Sequence, residues 1–153
     1  MSLDRDVQLL SKVATFADLA SDEIKLLAFN AAHRTVRQGK ILFAEGDVAA
    51  SAVIVVSGSV RLLRNGEDGD IDEGDYGAGT IFGELALLTD THRPATARAL
   101  DDVELIEISR SVFRRILEEY PDKAVLLHAR LAARLGAAIE EISAVGPRFS
   151  GNG

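Results

Sequence analysis

Gly77-Ala78-Gly79-Thr80-Ile81-Phe82-Gly83-Glu84-Leu85-Ala86-Leu87-Leu88-Thr89-Asp90-Thr91-His92-Arg93-Pro94-Ala95-Thr96-Ala97 carries more chemistry than any other stretch of the chain. A glycine turn at 77–79 delivers the backbone into one or two turns of helix, from Gly83 to about Leu88, whose opening N–H groups have no acceptor inside the helix. Such donors suit an anion, and Gly83, with no Cβ, lets a ligand come close to the backbone. Arg93, arriving on the strand that follows, adds a permanent positive charge and a planar fork of donors. Together they make a site for one phosphate. Glu84 stands in the same turn, where the helix dipole favours a carboxylate; its oxygens can accept from a sugar hydroxyl but repel a dianionic phosphate. A helix start beside one arginine also occurs as plain structure. Spacing alone therefore leaves open whether Glu84 is a dipole-matched acid and whether Arg93 pairs with Glu84 or Asp90.

On the N-terminal side of this segment the grammar is that of short strands broken by turns. Arg34–Val36, Ile41–Phe43, Ala52–Val56 and Ser59–Leu63 are β-prone runs, with Glu45-Gly46-Asp47 and Ser57-Gly58 as turns between them. Asn65-Gly66 is a hairpin signal. Glu67, Asp68, Asp70, Asp72, Glu73 and Asp75 follow it and read as a solvated hairpin tip; an EF-hand loop is rejected because its turn glycine would fall at Glu73 and its closing glutamate at Gly79. Beyond the segment, Ala95–Leu100 and Val103–Ile108 are again strand-like. So many short strands point to a sandwich, barrel or jelly roll.

Helices flank this β-rich middle. Leu3, Val7, Leu10 and Val13 recur at helical spacing, and Ser21-Asp22-Glu23 caps a second helix that ends near Asn30. Ser109 caps a helix through Val112, Phe113, Ile116 and Leu117, broken at Tyr120-Pro121. The last helix runs from about Asp122 to Ser143. Ala124, Leu131, Leu135, Ala138, Ile142 and Val145 form a heptad-like seam on it, with His128 filling the gap, and this seam predicts pairing with a second copy through residues 122–145. The expected organisation is a single domain over 1–146, with N-terminal helices at 1–31, strands at 33–108, C-terminal helices at 109–145 and a disordered tail at 147–153.

Composition narrows the function. The 153 residues hold 24 acidic against 17 Lys and Arg side chains, a net charge of −7, so the average surface repels nucleic acid, and no basic patch offsets it. The absence of Cys removes thiolate chemistry and disulfides, and three scattered histidines, His33, His92 and His128, do not make a metal set. No apolar run reaches membrane length and the N-terminus is not a secretory signal, so we expect a cytoplasmic protein without a membrane partner. No nucleophile has a neighbouring base, so no enzyme is expected.

The string Phe82-Gly83-Glu84-Leu85-Ala86-Leu87-Leu88, followed by Arg93-Pro94-Ala95-Thr96-Ala97, resembles the phosphate-binding cassette of the cyclic-nucleotide-binding domain family, to which catabolite activator protein and the regulatory subunits of cyclic-AMP-dependent protein kinase belong. Gly39–Asp47, Val55–Val60 and the two helices at 109–143 extend the likeness over most of the chain. The resemblance implies a mainly β fold, an eight-stranded jelly-roll barrel with N-terminal helices and two C-terminal helices, and no catalysis. It implies that Glu84 accepts from the ribose 2′-hydroxyl and that Arg93 pairs with the cyclic phosphate. The backbone N–H groups of Gly83, Leu85 and Ala86 would surround the ligand, Phe82, Pro94 and Ala95 would complete the site, and the helix from Asp122 would report occupancy. His92 is a second-tier candidate for the phosphate field, and Arg130 and Arg134 for stacking on a purine.

Pro94 departs from the family pattern. The residue there commonly donates its N–H to the phosphate; proline has none, which weakens binding by roughly one to two decades unless another donor compensates. It also removes the hydroxyl that guanine-selective members use, favouring cyclic AMP over cyclic GMP. Two other readings stand beside a cyclic-nucleotide sensor with an unknown effector protein. One is the effector portion of a transcriptional regulator, channel or transporter; only ten residues follow Ser143, too few for a helix-turn-helix, so this chain is not expected to bind DNA directly. The other is an interaction module that kept the barrel and lost the ligand.

Overall fold

The computed structural model describes residues 3–126, 128–130, 132 and 133. Among these, helix α1 (Leu3–Ser11), a 3₁₀ turn (Ala14–Phe16) and helix α2 (Ser21–Asn30) precede ten strands, and helix α3 (Arg110–Glu119) follows them. The strands are β1 (Ala32–Val36), β2 (Ile41–Phe43), β3 (Val48–Ala49), β4 (Ser51–Ser57), β5 (Val60–Gly66), β6 (Gly69–Tyr76), β7 (Ile81–Phe82), β8 (Thr91–His92), β9 (Thr96–Ala99) and β10 (Val103–Ser109). They form two four-stranded sheets, β1-β10-β4-β7 and β2-β9-β5-β6, and a two-stranded ladder, β3-β8, all antiparallel. Mainly β architecture with flanking helices is as the sequence predicts. The strand count is ten rather than eight, because β3, β7 and β8 are two-residue pieces with no periodicity of their own.

Strands β4 and β10 hold the molecule together because both of their faces are covered. Side chains alternate across a strand, so Ala52 and Ile54 of β4, with Ile106 and Ile108 of β10, point to the helices, where they meet Leu10, Phe16, Leu27 and Phe113. Val53, Val55, Val103 and Leu105 point the other way, to Val60, Ala97 and Ala99 of the facing sheet. A fully buried side chain of this kind contributes about 1.5–3 kcal/mol, so the two-faced pair is the centre of the fold. The run Ser51-Ala-Val-Ile-Val-Val56 is nearly all apolar for that reason.

Three local expectations are corrected. The N-cap of α2 is Ala20, not Ser21; the Glu23 carboxylate reaches back to accept from the Ala20 N–H at 3.0 Å. The β5–β6 hairpin turns at Glu67-Asp68, with Gly66 opposite Gly69, rather than at Asn65-Gly66. The acids after the turn are therefore not a tip. Asp70, Asp72, Glu73 and Asp75 lie on β6, where Arg61 Nε donates to Asp75 at 2.7 Å and Arg64 Nε to Glu73 at 2.6 Å. Edge strand β6 is thus exposed, acidic and balanced by arginines from β5.

Ser109 caps α3, its Oγ accepting from the Val112 N–H at 3.2 Å. After Tyr120 a further helix begins at Pro121. Leu131, Arg134, Leu135, Ala138, Ile142 and Val145, and the tail at 147–153, lie outside the described residues. No helix among the described residues is long and apolar enough to cross a membrane.

Candidate functional site

The segment from Phe82 to Ala95 leaves β7, makes a 3₁₀ turn at Glu84–Leu87 and returns as β8. Gly83 enters the turn in the left-handed region at φ +77°, and the Cβ of any other residue there would stand 2.2 Å from Arg93 Nη1. Glycine is therefore required twice, for its backbone angle and for its missing side chain. The turn 45–47 holds the far end. Arg93 N–H donates to the Asp47 carbonyl at 2.8 Å, and Gly46 N–H donates to the Arg93 carbonyl at 2.9 Å.

Arg93 is 7% exposed. Its Nη2 donates to the Ser51 carbonyl at 3.1 Å and meets Ser51 Oγ at 3.4 Å, and its guanidinium lies 4.5 Å from the centre of the Phe43 ring. Ser51 Oγ in turn donates to Glu107 at 2.6 Å. Phe43 packs edge-on against Phe82, and Phe82 against Tyr76, so the cation sits on an aromatic row. Burial pulls the guanidinium below the usual arginine range, with Glu107 and Asp47 opposing and Arg34 adding to the effect. It stays charged at neutral pH. Nη1 is buried and has no hydrogen-bond partner among the described residues.

Beside it is a cavity of about 80 Å³, with Phe43, Leu62 and Phe82 on one side, and Gly83 and Thr91–Ala95 on the other. Of the sequence candidates, Phe82, Gly83, His92, Arg93, Pro94 and Ala95 thus come together around one space. Others do not. The Glu84 carboxylate is turned to the N-terminal layer, where it accepts from Thr15 Oγ1. Ala86 is buried and its N–H donates to the Gly83 carbonyl at 2.9 Å; Leu85 is half-buried on the same turn. Arg93 pairs with neither Glu84 nor Asp90 as the sequence allowed; Asp90 is taken by Arg110. Arg130 contacts Asp18 Oδ2 at 2.7 Å, and Arg134 lies outside the described residues.

Phe43, Ser51, Glu107 and Thr15 are the residues that sequence reasoning missed. Phe43 and Ser51 had a weak signal, an aromatic and a hydroxyl at the ends of β-prone runs. Thr15 had none, since 69 residues separate it from Glu84. Among the described residues no cluster of His, Asp and Glu has the geometry of a metal site.

Known proteins are similar to this chain. The cyclic AMP receptor protein of Thermus thermophilus is 35% identical over 128 residues, covering 83% of this chain and 59% of that protein. Lysophospholipase NTE1 of Chaetomium globosum is 34% identical over 109 residues, which cover 71% of this chain but 7% of the enzyme. The structure of a cyclic nucleotide-binding-like protein from Brucella abortus superposes with a TM-score of 0.70 at 41% identity, covering 74% of this chain and 97% of that one. The family profile described as cyclic nucleotide-binding domain matches residues 33–120, the span that holds both sheets, the glycine-entered turn and the buried arginine. The chain belongs to the cyclic nucleotide-binding domain family.

Proposed function

We propose that this domain is a sensor for a cyclic purine mononucleotide, cyclic AMP ahead of cyclic GMP, and that it performs no catalysis. One observation carries the reading: a nine-tenths buried arginine whose Nη1 has no partner among the described residues, seated against a glycine whose missing Cβ leaves room for that nitrogen. A desolvated cation with a vacant donor is stabilised by an anion, and a charge-assisted hydrogen bond there contributes about 1.5–3 kcal/mol.

The cyclic phosphate would sit against Arg93 and Gly83, and the ribose 2′-hydroxyl would donate to Glu84. The cavity is smaller than the roughly 300–1,000 Å³ of ordinary small-molecule sites, so it suits the phosphate and part of the sugar, with the base lying outward past Pro94. Pro94 offers neither an N–H to the phosphate nor a hydroxyl to a guanine, which favours adenine. The helix from Pro121 would carry the signal; Lys123 Nζ on it donates to the Asp18 carbonyl at 3.0 Å, so it is tied to the N-terminal layer. Coverage of 59% of the Thermus receptor and 7% of the fungal enzyme supports a module that reports to an effector, attached or separate.

Isothermal titration with cyclic AMP, cyclic GMP and 5′-AMP tests this. Saturable micromolar binding of cyclic AMP, weaker binding of cyclic GMP and none of the open-ring 5′-AMP is expected. No heat with either cyclic nucleotide, from protein whose circular dichroism shows the β fold, overturns it.

A further inference from the structure

The Glu84 carboxylate, which the proposed function gives to the ribose, is engaged elsewhere. It accepts a hydrogen bond from Thr15 Oγ1 in the 3₁₀ turn that follows α1. Thr15 is 1% exposed and is followed by Phe16, one of the largest fully buried side chains of the helical layer. The hydroxyl is therefore presented from a packed base, not from a wandering loop. The cavity beside Arg93 is walled by Gly83 and the Thr91–Ala95 segment, while the next side chain after Gly83 turns away to this threonine.

We infer that Thr15 is an autoinhibitory latch: its hydroxyl competes with the ligand's 2′-hydroxyl for the Glu84 carboxylate, so that nucleotide binding exchanges an internal hydrogen bond for one to the sugar. The inference rests on the cyclic-nucleotide reading of the site. The competing donors are chemically alike, each an aliphatic hydroxyl facing a carboxylate, so the exchange is close to balanced and the latch lowers affinity instead of abolishing it. Breaking it also loosens the segment that touches the last helix. Asp18, three residues after Thr15, accepts from Lys123 through its carbonyl and contacts Arg130 through its carboxylate. Release of Thr15 therefore acts on the stretch of chain to which that helix is tied.

The test compares cyclic AMP with 2′-deoxy cyclic AMP, which has no hydroxyl for Glu84, on the parent chain, Thr15→Val and Thr15→Ser. Valine keeps the volume and removes the donor; serine keeps the donor. Thr15→Val is expected to bind cyclic AMP about three- to tenfold more tightly, with 2′-deoxy cyclic AMP unchanged and Thr15→Ser close to the parent. Weaker cyclic AMP binding by Thr15→Val, or an equal change for both ligands, overturns the latch. Should the valine variant not fold, the parent decides: the Thr15 methyl resonance is expected to shift with saturating cyclic AMP and much less with the deoxy ligand, and equal shifts overturn the latch. Failure of the parent and of both variants to bind either nucleotide overturns the reading of the site, and the latch with it.

Discussion

Arg93 and Glu84 lie nine positions apart on one loop, yet different layers of the molecule hold them. Arg93 is fixed by the sheets: Ser51 of β4 accepts from it, Phe43 of β2 lies under it, and the turn at 45–47 clamps its backbone from both sides. Glu84 stands on a single 3₁₀ turn and bonds to a threonine of the N-terminal helical layer. A group framed by two sheets stays where it is when a ligand arrives, because the strands around it share a close-packed core. On the latch proposed above, a group bonded across to another layer exchanges that partner for the ligand's hydroxyl. On the proposed reading the arginine half is thus a fixed receptor and the Glu84 half a lever, bonded to the N-terminal layer that Lys123 and Arg130 of the last helix also contact.

The sharpest way to break this comparison is Arg93→Met. A receptor built around one buried cation loses its ligand when the cation goes, so binding of cyclic AMP is expected to weaken by about a hundredfold or more. Burial disfavours the charged guanidinium, so an apolar side chain of similar length relieves a desolvation penalty, and the melting temperature is expected to hold or rise. Affinity from titration and melting from calorimetry read the two effects separately. A variant that melts well below the parent would mean that Arg93 is a structural tie of the barrel, not a ligand anchor kept at a cost.

Gly83→Ala tests the junction between the halves. Its left-handed backbone angle carries a penalty of about 1–2 kcal/mol in any residue with a Cβ, and the new methyl would meet Arg93 Nη1. Denaturant melts are expected to show that loss of stability, and titration a loss of affinity of about tenfold or more, as the arginine is pushed off Ser51. Unchanged affinity would show that the two halves do not meet at this glycine.

The receptor half was far more legible in sequence than the lever. Gly83 and Arg93 lie close together in the chain, and turn glycines beside an arginine have a direct physical reading; that the turn at 45–47 clamps Arg93 from far away in sequence did not show in any local pattern. The partner of Glu84 comes from packing of a helical layer on the sheet, which no local pattern encodes. The same contrast governs the fold. The long apolar runs of β4 and β10 announce themselves, but β3, β7 and β8 exist only because a neighbour supplies their hydrogen bonds. The hairpin differs for a related reason: Asn65-Gly66 favours a turn locally, but the ladder sets Arg64 opposite Ile71 and Gly66 opposite Gly69, a register that turns two residues later.

That hairpin gives the smallest expected effect and a check on the fixed frame. Asp75 is held below the usual carboxylate range mainly by the hydrogen bond from Arg61, with desolvation opposing it and the charge of that guanidinium adding a lesser lowering effect. A carboxyl more acidic when folded than when unfolded stabilises the fold above its unfolded value, near 3.8, and loses that contribution as the pH falls through its lower folded value. Asp75→Asn is therefore expected to flatten the decline of the melting temperature below about pH 4 and to change it little at pH 7, where an exposed pair contributes little. Cyclic AMP affinity at pH 7 is expected to match the parent, because neither Arg61 nor Asp75 lines the cavity beside Arg93. A loss of affinity in this variant would mean that strain at the outer edge of the second sheet reaches Arg93 through β5 and β9, and the sheets would then be part of the moving machinery instead of the frame against which Glu84 moves.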